Sequence, residues 1–290
     1  MRFPLEVFDA VRDAVPAEND NAVAAAVAVV EPGTGKVRAI AQNREYGFDR
    51  GSGQTAVGYS VDRPYTTSGG FAIGSTAKLY SAVTAIRDGF PVDGRIGLRD
   101  TVDLASINSR GEERQVPKAV FRPQEFAECA DVADGELWAV QNDHGRFSDS
   151  IDFKEATEES VNTAFSELTT ALSPCRVRDT MTSMGLHRSQ LDENGEHVPF
   201  STKPGSVALG ADEASPLSLA NSFATVASGG TRCTPYPVES IADFEGTEIP
   251  LDAQQCERVL EEGEAAARRG LGGGVEDRGG ARSARLSAVP

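Results

Sequence analysis

The segment that most restricts how this chain can fold is Phe71-Ala-Ile-Gly-Ser-Thr-Ala-Lys78, because it sets a lysine into the start of an apolar helix. From Ser75 to Arg87, apolar or small residues stand at Ala77, Leu79, Tyr80, Ala82, Val83 and Ile86. That spacing predicts a largely buried helix, closed by Gly89. A solvated lysine is not expected at such a place, and burial lowers a lysine pKa by penalising its charged form. Ser75 stands three residues before Lys78, so hydroxyl and amine project from one helix face a turn apart. Gly74 lets the chain turn tightly into the helix.

That pairing has a chemical reading. Serine is a weak nucleophile until a base removes its proton. The usual base is histidine, but His144, His187 and His197 each lie in a polar, loop-like setting, and no G-x-S-x-G elbow accompanies them. Lysine is the alternative base, and the start of the helix offers N–H groups and a partial positive charge to a developing oxyanion. Ser-x-x-Lys alone is a weak motif, since a surface lysine one turn after an N-cap serine is common. Here the chain has five lysines (36, 78, 118, 154 and 203), and Lys78 alone has a serine three positions earlier.

The bulk properties narrow the field. The 290 residues are 39% hydrophobic and 25% charged, enough for one large domain or two small ones with a real core. A net charge of −16, from 44 acidic against 28 basic residues, disfavours nucleic acid and anionic lipid as partners. Ala22–Val30, the longest apolar run, is far too short to span a bilayer. Met1–Ala10 mixes charge into every turn and does not resemble a signal peptide. Cys129, Cys175, Cys233 and Cys256 show no CxxC spacing, so they suggest neither zinc nor a thioredoxin-like site. Two disulfides and four buried thiols remain equal readings.

Along the chain, residues 23–30 and 36–42 flank the turn Glu31-Pro-Gly-Thr-Gly35 and read as a β-hairpin, the first strand buried on both faces. Residues 43–70 read as loop, and 90–150 as irregular, polar and without an independent core. Helices are predicted over Ser160–Leu172, stopped by Pro174; over Val177–Met184; and from the N-cap Ser215 to Ser228. Cys233–Phe244 and Thr247–Leu251 form a candidate second β-pair, which a Cys233–Cys256 disulfide would bracket; Cys129 and Cys175 could pair likewise, with less reason. The Gly/Ala/Arg-rich stretch from Ala265 carries no periodicity and should be disordered or poorly packed.

Two Ser-x-Asn triplets occur. Ser106-Ile-Asn108 falls in the irregular region, where loop chemistry explains it. Ser160-Val-Asn162 opens an apolar-striped helix, as an N-cap or as part of a site with Lys78. Phe71–Lys78 resembles the nucleophile segment of penicillin-binding proteins, and Ser160-Val-Asn-Thr-Ala-Phe165 their second motif. The hairpin Ala25–Gln42 and the segment Leu209–Gly230 are similar to the transpeptidase domain of bifunctional (class A) members. Four matches in order are far more specific than one triplet.

The resemblance implies an α/β transpeptidase fold of the penicillin-binding/β-lactamase type, with helices packed on an antiparallel sheet and its C-terminal strands incomplete. It implies acylation of Ser75 by D-Ala-D-Ala stem peptides of peptidoglycan, with Lys78 as base, Ser160 relaying protons to the leaving amine, and Asn162 holding Lys78 and a substrate amide. β-Lactams would acylate the same serine. No cofactor or metal is implied, no nucleic acid, and no membrane span within this chain; the place of work would be the extracytoplasmic face of the bacterial membrane. The family's third element, a strand bearing Lys-Thr/Ser-Gly, is not found: no lysine follows Lys203, and Lys203-Pro-Gly205 reads as a loop. A fragment, or a frame shifted near Ala265, would account for that, leaving 1–264 as a partial domain and 265–290 as an aberrant tail. Loss of one oxyanion donor costs about 10²–10³ in rate. A D,D-carboxypeptidase and a non-catalytic penicillin-binding or wall-associated module are the competing readings. A class A β-lactamase would want a deacylating glutamate, for which no motif is present.

Overall fold

The computed structural model describes residues 3–16, 23–107, 110–126, 129, 136–145, 147, 149–251 and 255–266. Its elements, in order, are α1 (Phe3–Ala14), β1 (Ala26–Val30), β2 (Val37–Gln42), β3 (Phe71–Ala72), α2 (Lys78–Arg87), β4 (Arg95–Gly97), β5 (Val102–Ile107), β6 (Glu113–Phe121), β7 (Trp138–Val140) and β8 (Ser150–Asp152). There follow α3 (Phe153–Glu158), α4 (Asn162–Leu172), α5 (Pro174–Ser183), α6 (Pro204–Leu209), β9 (Glu213–Ala214), α7 (Pro216–Ala227), β10 (Thr231–Cys233), β11 (Ile241–Ala242), β12 (Glu248–Ile249) and β13 (Cys256–Arg258).

Helix α2 is the centre of the molecule. Every residue from Lys78 to Ala85 is buried, and the helix packs against α4, α5 and α6. Leu79, Tyr80 and Val83 join Phe153, Phe165, Leu168, Val177, Met181 and Leu186 in one core. Two of its buried polar side chains are paired across the core: Tyr80 shares a 2.5 Å hydrogen bond with Ser222 of α7, and the Thr84 hydroxyl donates to Thr180 of α5 at 2.8 Å, whereas the buried Ser81 hydroxyl has no partner. Outside this core, β1 and β2 form the expected antiparallel hairpin, with a bulge at Val29/Val30, and α1 and α7 pack on it. Its first strand is only partly buried except at Val30, so the expectation of a strand covered on both faces is corrected.

Residues 90–150 depart most from expectation. They contain the antiparallel pair β4–β8 and a three-stranded sheet β5–β6–β7 with its own small core of Ala119, Phe121, Phe126, Cys129 and Val140. Strand β5 is exposed along nearly its whole length, so it carries no alternation by which a strand could be recognised. Pro117 interrupts the sequence pattern of β6 and lies opposite Asp103 where β6 has only β5 as a neighbour, the kind of edge position to which strand proline is confined. Ser106 and Ile107 belong to β5 and not to a loop, while Asn108 lies outside the described residues.

Arg99 joins this sheet to the core. Its guanidinium chelates Glu167 of α4 at 2.6 and 2.9 Å, meets Glu125 at 2.7 Å, donates to the Val120 carbonyl at 2.7 Å and stacks 3.7 Å from the Phe121 ring centre. The Cys129–Cys175 disulfide makes a second tie, from the small core to α5. Cys233 and Cys256 also form a disulfide, as directly opposed residues of β10 and β13 with Cα atoms 4.0 Å apart, and it brackets the β11–β12 hairpin. The four-thiol reading is thereby excluded.

Smaller differences have local causes. Pro174 does not merely stop α4; it opens α5, its missing N–H falling where a helix leaves one unpaired anyway. By the same rule Pro204 opens α6, so Lys203-Pro-Gly205 is a helix start and not a loop. Ser215 caps α7 as expected, its hydroxyl accepting from Ser218 N–H at 3.0 Å. Most of the tail from Ala265 lies outside the described residues.

Candidate active site

Ser75, Lys78, Ser160 and Asn162, chosen from sequence, converge on one nitrogen. Lys78 Nζ lies 3.0 Å from Ser75 Oγ, 2.9 Å from Ser160 Oγ, 2.7 Å from the Ser160 carbonyl and 2.6 Å from Asn162 Oδ1. The Phe165 ring covers the amine at 5.8 Å, and the residue is only 5% exposed. Burial lowers the Lys78 pKa to about 8, opposed by the nearby negative charge of Asp143. The charged amine has three protons for four oxygens. The neutral amine donates to two carbonyl-type acceptors and turns its lone pair to a hydroxyl, so the cage accepts both forms.

Ser75 is carried on a 3-10 turn, Gly74–Ala77, that runs directly into α2. The turn is placed by a close backbone approach. Gly74 N–H donates to the Gly210 carbonyl at 3.0 Å, and Ile73 N–H to the Asp212 carbonyl at 3.2 Å, in continuation of the short β3–β9 pair. Gly74 and Gly210 have φ of +54° and +71°, and a Cβ on Gly210 would stand 2.1 Å from the Gly74 oxygen. Glycine is required at 210 on both counts.

Ser160 is not an N-cap. The cap position of α4 belongs to Val161, without a side-chain cap bond. Ser160 instead adopts φ +53°, one of three non-glycine residues among those described with a positive φ. That backbone turns both its carbonyl and its hydroxyl onto Lys78. Asn162 is held by donating from Nδ2 to the Gln141 carbonyl at 3.0 Å. Beside it, Asn142 accepts from Thr163 N–H at 3.0 Å and donates to Thr163 Oγ1 at 3.2 Å, capping α4 from outside its own sequence. Gln141 and Asn142 are the positioning residues that sequence reading missed, and no local signal marks them, because they act 21 positions away. The same segment, with Arg114 and Phe147, lines an open cavity of about 260 Å³. As for a histidine base, His144 faces Glu159 and His187 faces Asp62, whereas the Ser75 hydroxyl is paired to Lys78.

A serine hydroxyl, a lysine whose burial favours its neutral form and a second serine gathered on one nitrogen make a set that can activate serine with lysine. The chain belongs to the penicillin binding protein transpeptidase domain family, which it matches over residues 119–286. That match contains Ser160 and Asn162, while Ser75 and Lys78 precede it. Penicillin-binding protein 1B of Escherichia coli (strain K12) is 30% identical over 128 residues, covering 43% of this chain and 14% of that protein. Penicillin-binding protein 1A of Neisseria lactamica is 29% identical over 112 residues, covering 39% and 13%. Among solved structures, apo penicillin-binding protein 3 of Mycobacterium tuberculosis superposes with a TM-score of 0.64 at 18% identity, covering 92% of this chain and 55% of that one. Penicillin-binding protein A of M. tuberculosis, solved as an imipenem acyl-enzyme, gives 0.61 at 19%, covering 91% and 59%. These likenesses show the expected fold, helices with antiparallel strands. The chain spans less than two thirds of each of these relatives.

Proposed function

We propose that this chain is a serine acyltransferase domain of the D,D-transpeptidase kind, acting on D-Ala-D-Ala stem peptides of peptidoglycan, in the manner of class A penicillin-binding proteins. The observation that carries the reading is the Lys78 amine, 3.0 Å from Ser75 Oγ and 2.9 Å from Ser160 Oγ, with a pKa lowered to about 8. Neutral Lys78 accepts the Ser75 proton as Oγ attacks the penultimate D-Ala carbonyl. The Ser75 N–H would face the developing oxyanion, since Gly74 N–H and Thr76 N–H are already given to the Gly210 and Ile73 carbonyls. Collapse breaks the peptide bond, and the proton held on Lys78 passes through the Ser160 hydroxyl to the departing D-Ala amine. Asn162 keeps Lys78 in line and offers its amide to the substrate backbone. The acyl-enzyme is then taken by an amine of a second stem peptide, or by water in a D,D-carboxypeptidase. β-Lactams enter the same step, with the ring C–N bond breaking and no leaving group lost. The work would be done on the outer face of the cytoplasmic membrane, with residues 1–264 as a partial domain and 265–290 as an aberrant tail, although the family match runs on to residue 286.

The test is labelling of the folded chain with a fluorescent penicillin. Wild type is expected to become covalently labelled, Ser75→Ala not at all, and Lys78→Met about 10²–10⁴ times more slowly, the usual contribution of a positioned base. Folded wild-type protein that takes no label would overturn the proposal in favour of a non-catalytic wall-associated module. The ratio of amine-transfer to hydrolysis product separates transpeptidase from carboxypeptidase.

A further inference from the structure

Two of the three histidines, His187 and His197, meet Asp62 on the loop between β2 and β3. His187 follows α5, and its backbone is fixed by Ser218 of α7, which accepts from its N–H at 3.1 Å and donates to its carbonyl at 3.3 Å. His187 Nε2 lies 3.4 Å from Asp62 Oδ2. His197 arrives on a hairpin held by Arg188 and Val198, and its ring stacks on His187 with centroids 3.8 Å apart and planes 29° apart. One ligand atom from each of the three residues lies within 4.8 Å of the others.

Three further observations distinguish this group from a chance encounter. Asp62 is only 9% exposed, and its Oδ1 is buried without a hydrogen-bond partner. A carboxylate oxygen left so is costly, and a cation supplies what it lacks. His197 Nδ1 lies 3.1 Å from the Arg188 carbonyl, which places the ring proton on Nδ1 and leaves the Nε2 lone pair free, the outer-shell contact typical of ligating histidines. Finally, the 3.4 Å between Asp62 Oδ2 and His187 Nε2 matches the edge of a tetrahedron whose bonds are about 2.0–2.1 Å long, and a carboxylate bound through both oxygens would satisfy Oδ1 as well.

The geometry points to a divalent transition-metal site formed by Asp62 Oδ, His187 Nε2 and His197 Nε2, with water completing the shell and zinc the ion that best suits the donors. Binding would require exposed His197 to tilt out of its stack on His187 so that its lone pair meets the ion. The site's role is structural. Ser189 already ties the same loop to this region, accepting from Arg63 N–H at 3.2 Å and donating to the Ser68 carbonyl at 3.3 Å. An ion there fastens the loop that leads into β3 and the Ser75 turn. Sequence reading implied no metal because the two histidines are ten positions apart, the carboxylate lies 125 positions from His187, and no ligand motif joins them.

The experiment uses the full chain, free of any affinity tag, stripped with EDTA and titrated with zinc sulfate, reading bound zinc by elemental analysis and Tm by calorimetry. One zinc per chain and a Tm raised by several degrees are expected. His197→Ala changes an exposed side chain and should fold; it is expected to weaken binding more than the ~10–100-fold that loss of an outer-shell partner costs, and to abolish the Tm rise. His144→Ala should bind as wild type. Absence of bound zinc, or equal binding by wild type and His197→Ala, would overturn the site and leave Asp62 and His187 as a simple hydrogen-bonded pair.

Discussion

Substituting Gly210 by alanine should disable the Ser75 turn without touching any side chain of the site. The added Cβ would stand 2.1 Å from the Gly74 oxygen, 2.5 Å from its nitrogen and 2.8 Å from its carbonyl carbon, where real Cβ contacts do not fall below 3.0 Å. The two backbones must therefore part by about 1 Å, in a packed interior with little room to give. Gly210 also has φ +71°, which costs an alanine about 1–2 kcal/mol. Overpacking adds about 1–3 kcal/mol. The sum, about 2–5 kcal/mol, lowers Tm by roughly 4–20 °C for a domain of this size. Because Ser75 follows Gly74 directly, a ~1 Å displacement should slow penicillin labelling by up to about 10²-fold. Gly229→Ala is the control. That residue has the same kind of backbone, φ +81°, but no atom near the added Cβ, so it should lose about 1–2 kcal/mol and label normally. Calorimetry and time-resolved labelling of both variants decide the matter. Equal Tm and equal labelling rates for the two would refute the argument that close approach of Gly74 and Gly210 sets the nucleophile.

Labelling should rise with pH through about 8, because Lys78 must be neutral to take the serine proton. With that pKa about one lysine in ten is neutral at pH 7 and about nine in ten at pH 9, a roughly tenfold gain; a flat profile from pH 6.5 to 9 would sink the assignment of Lys78 as base. The Cys129–Cys175 bridge closes a loop of 46 residues and should contribute about 4 kcal/mol, against about 3.4 kcal/mol for the 23-residue Cys233–Cys256 loop. The Cys129→Ser/Cys175→Ser protein should accordingly melt lower than its counterpart in calorimetry, and a Tm insensitive to reductant would refute the difference.

The legible parts of this chain were those written into short stretches. Helix α2 announced itself by its apolar spacing, α7 by Ser215-Pro216, and the first hairpin by Glu31-Pro-Gly-Thr-Gly35. Ser75 and Lys78 were found because helix geometry fixes their relation within four residues. The illegible parts depend on partners far along the chain. Strand β5 is solvated on both faces and so has no period, and α1 hides its apolar stripe among charges. Asn142 caps α4 across 21 positions, and the pairing of β3 with β9 exists only once α6 has brought Gly210 to Gly74. Ser160 was the intermediate case. Its triplet was visible, but the choice between helix cap and lysine partner rested on a backbone angle no sequence pattern encodes.

That angle has a consequence for how such a protein can change. A serine at φ +53° is held against its own preference at a cost of order 1–3 kcal/mol, and glycine would release it. Selection or design for thermal robustness alone would therefore drift toward glycine at 160, discarding the hydroxyl that faces Lys78. Position 160 is one where durability and chemistry pull the sequence in opposite directions.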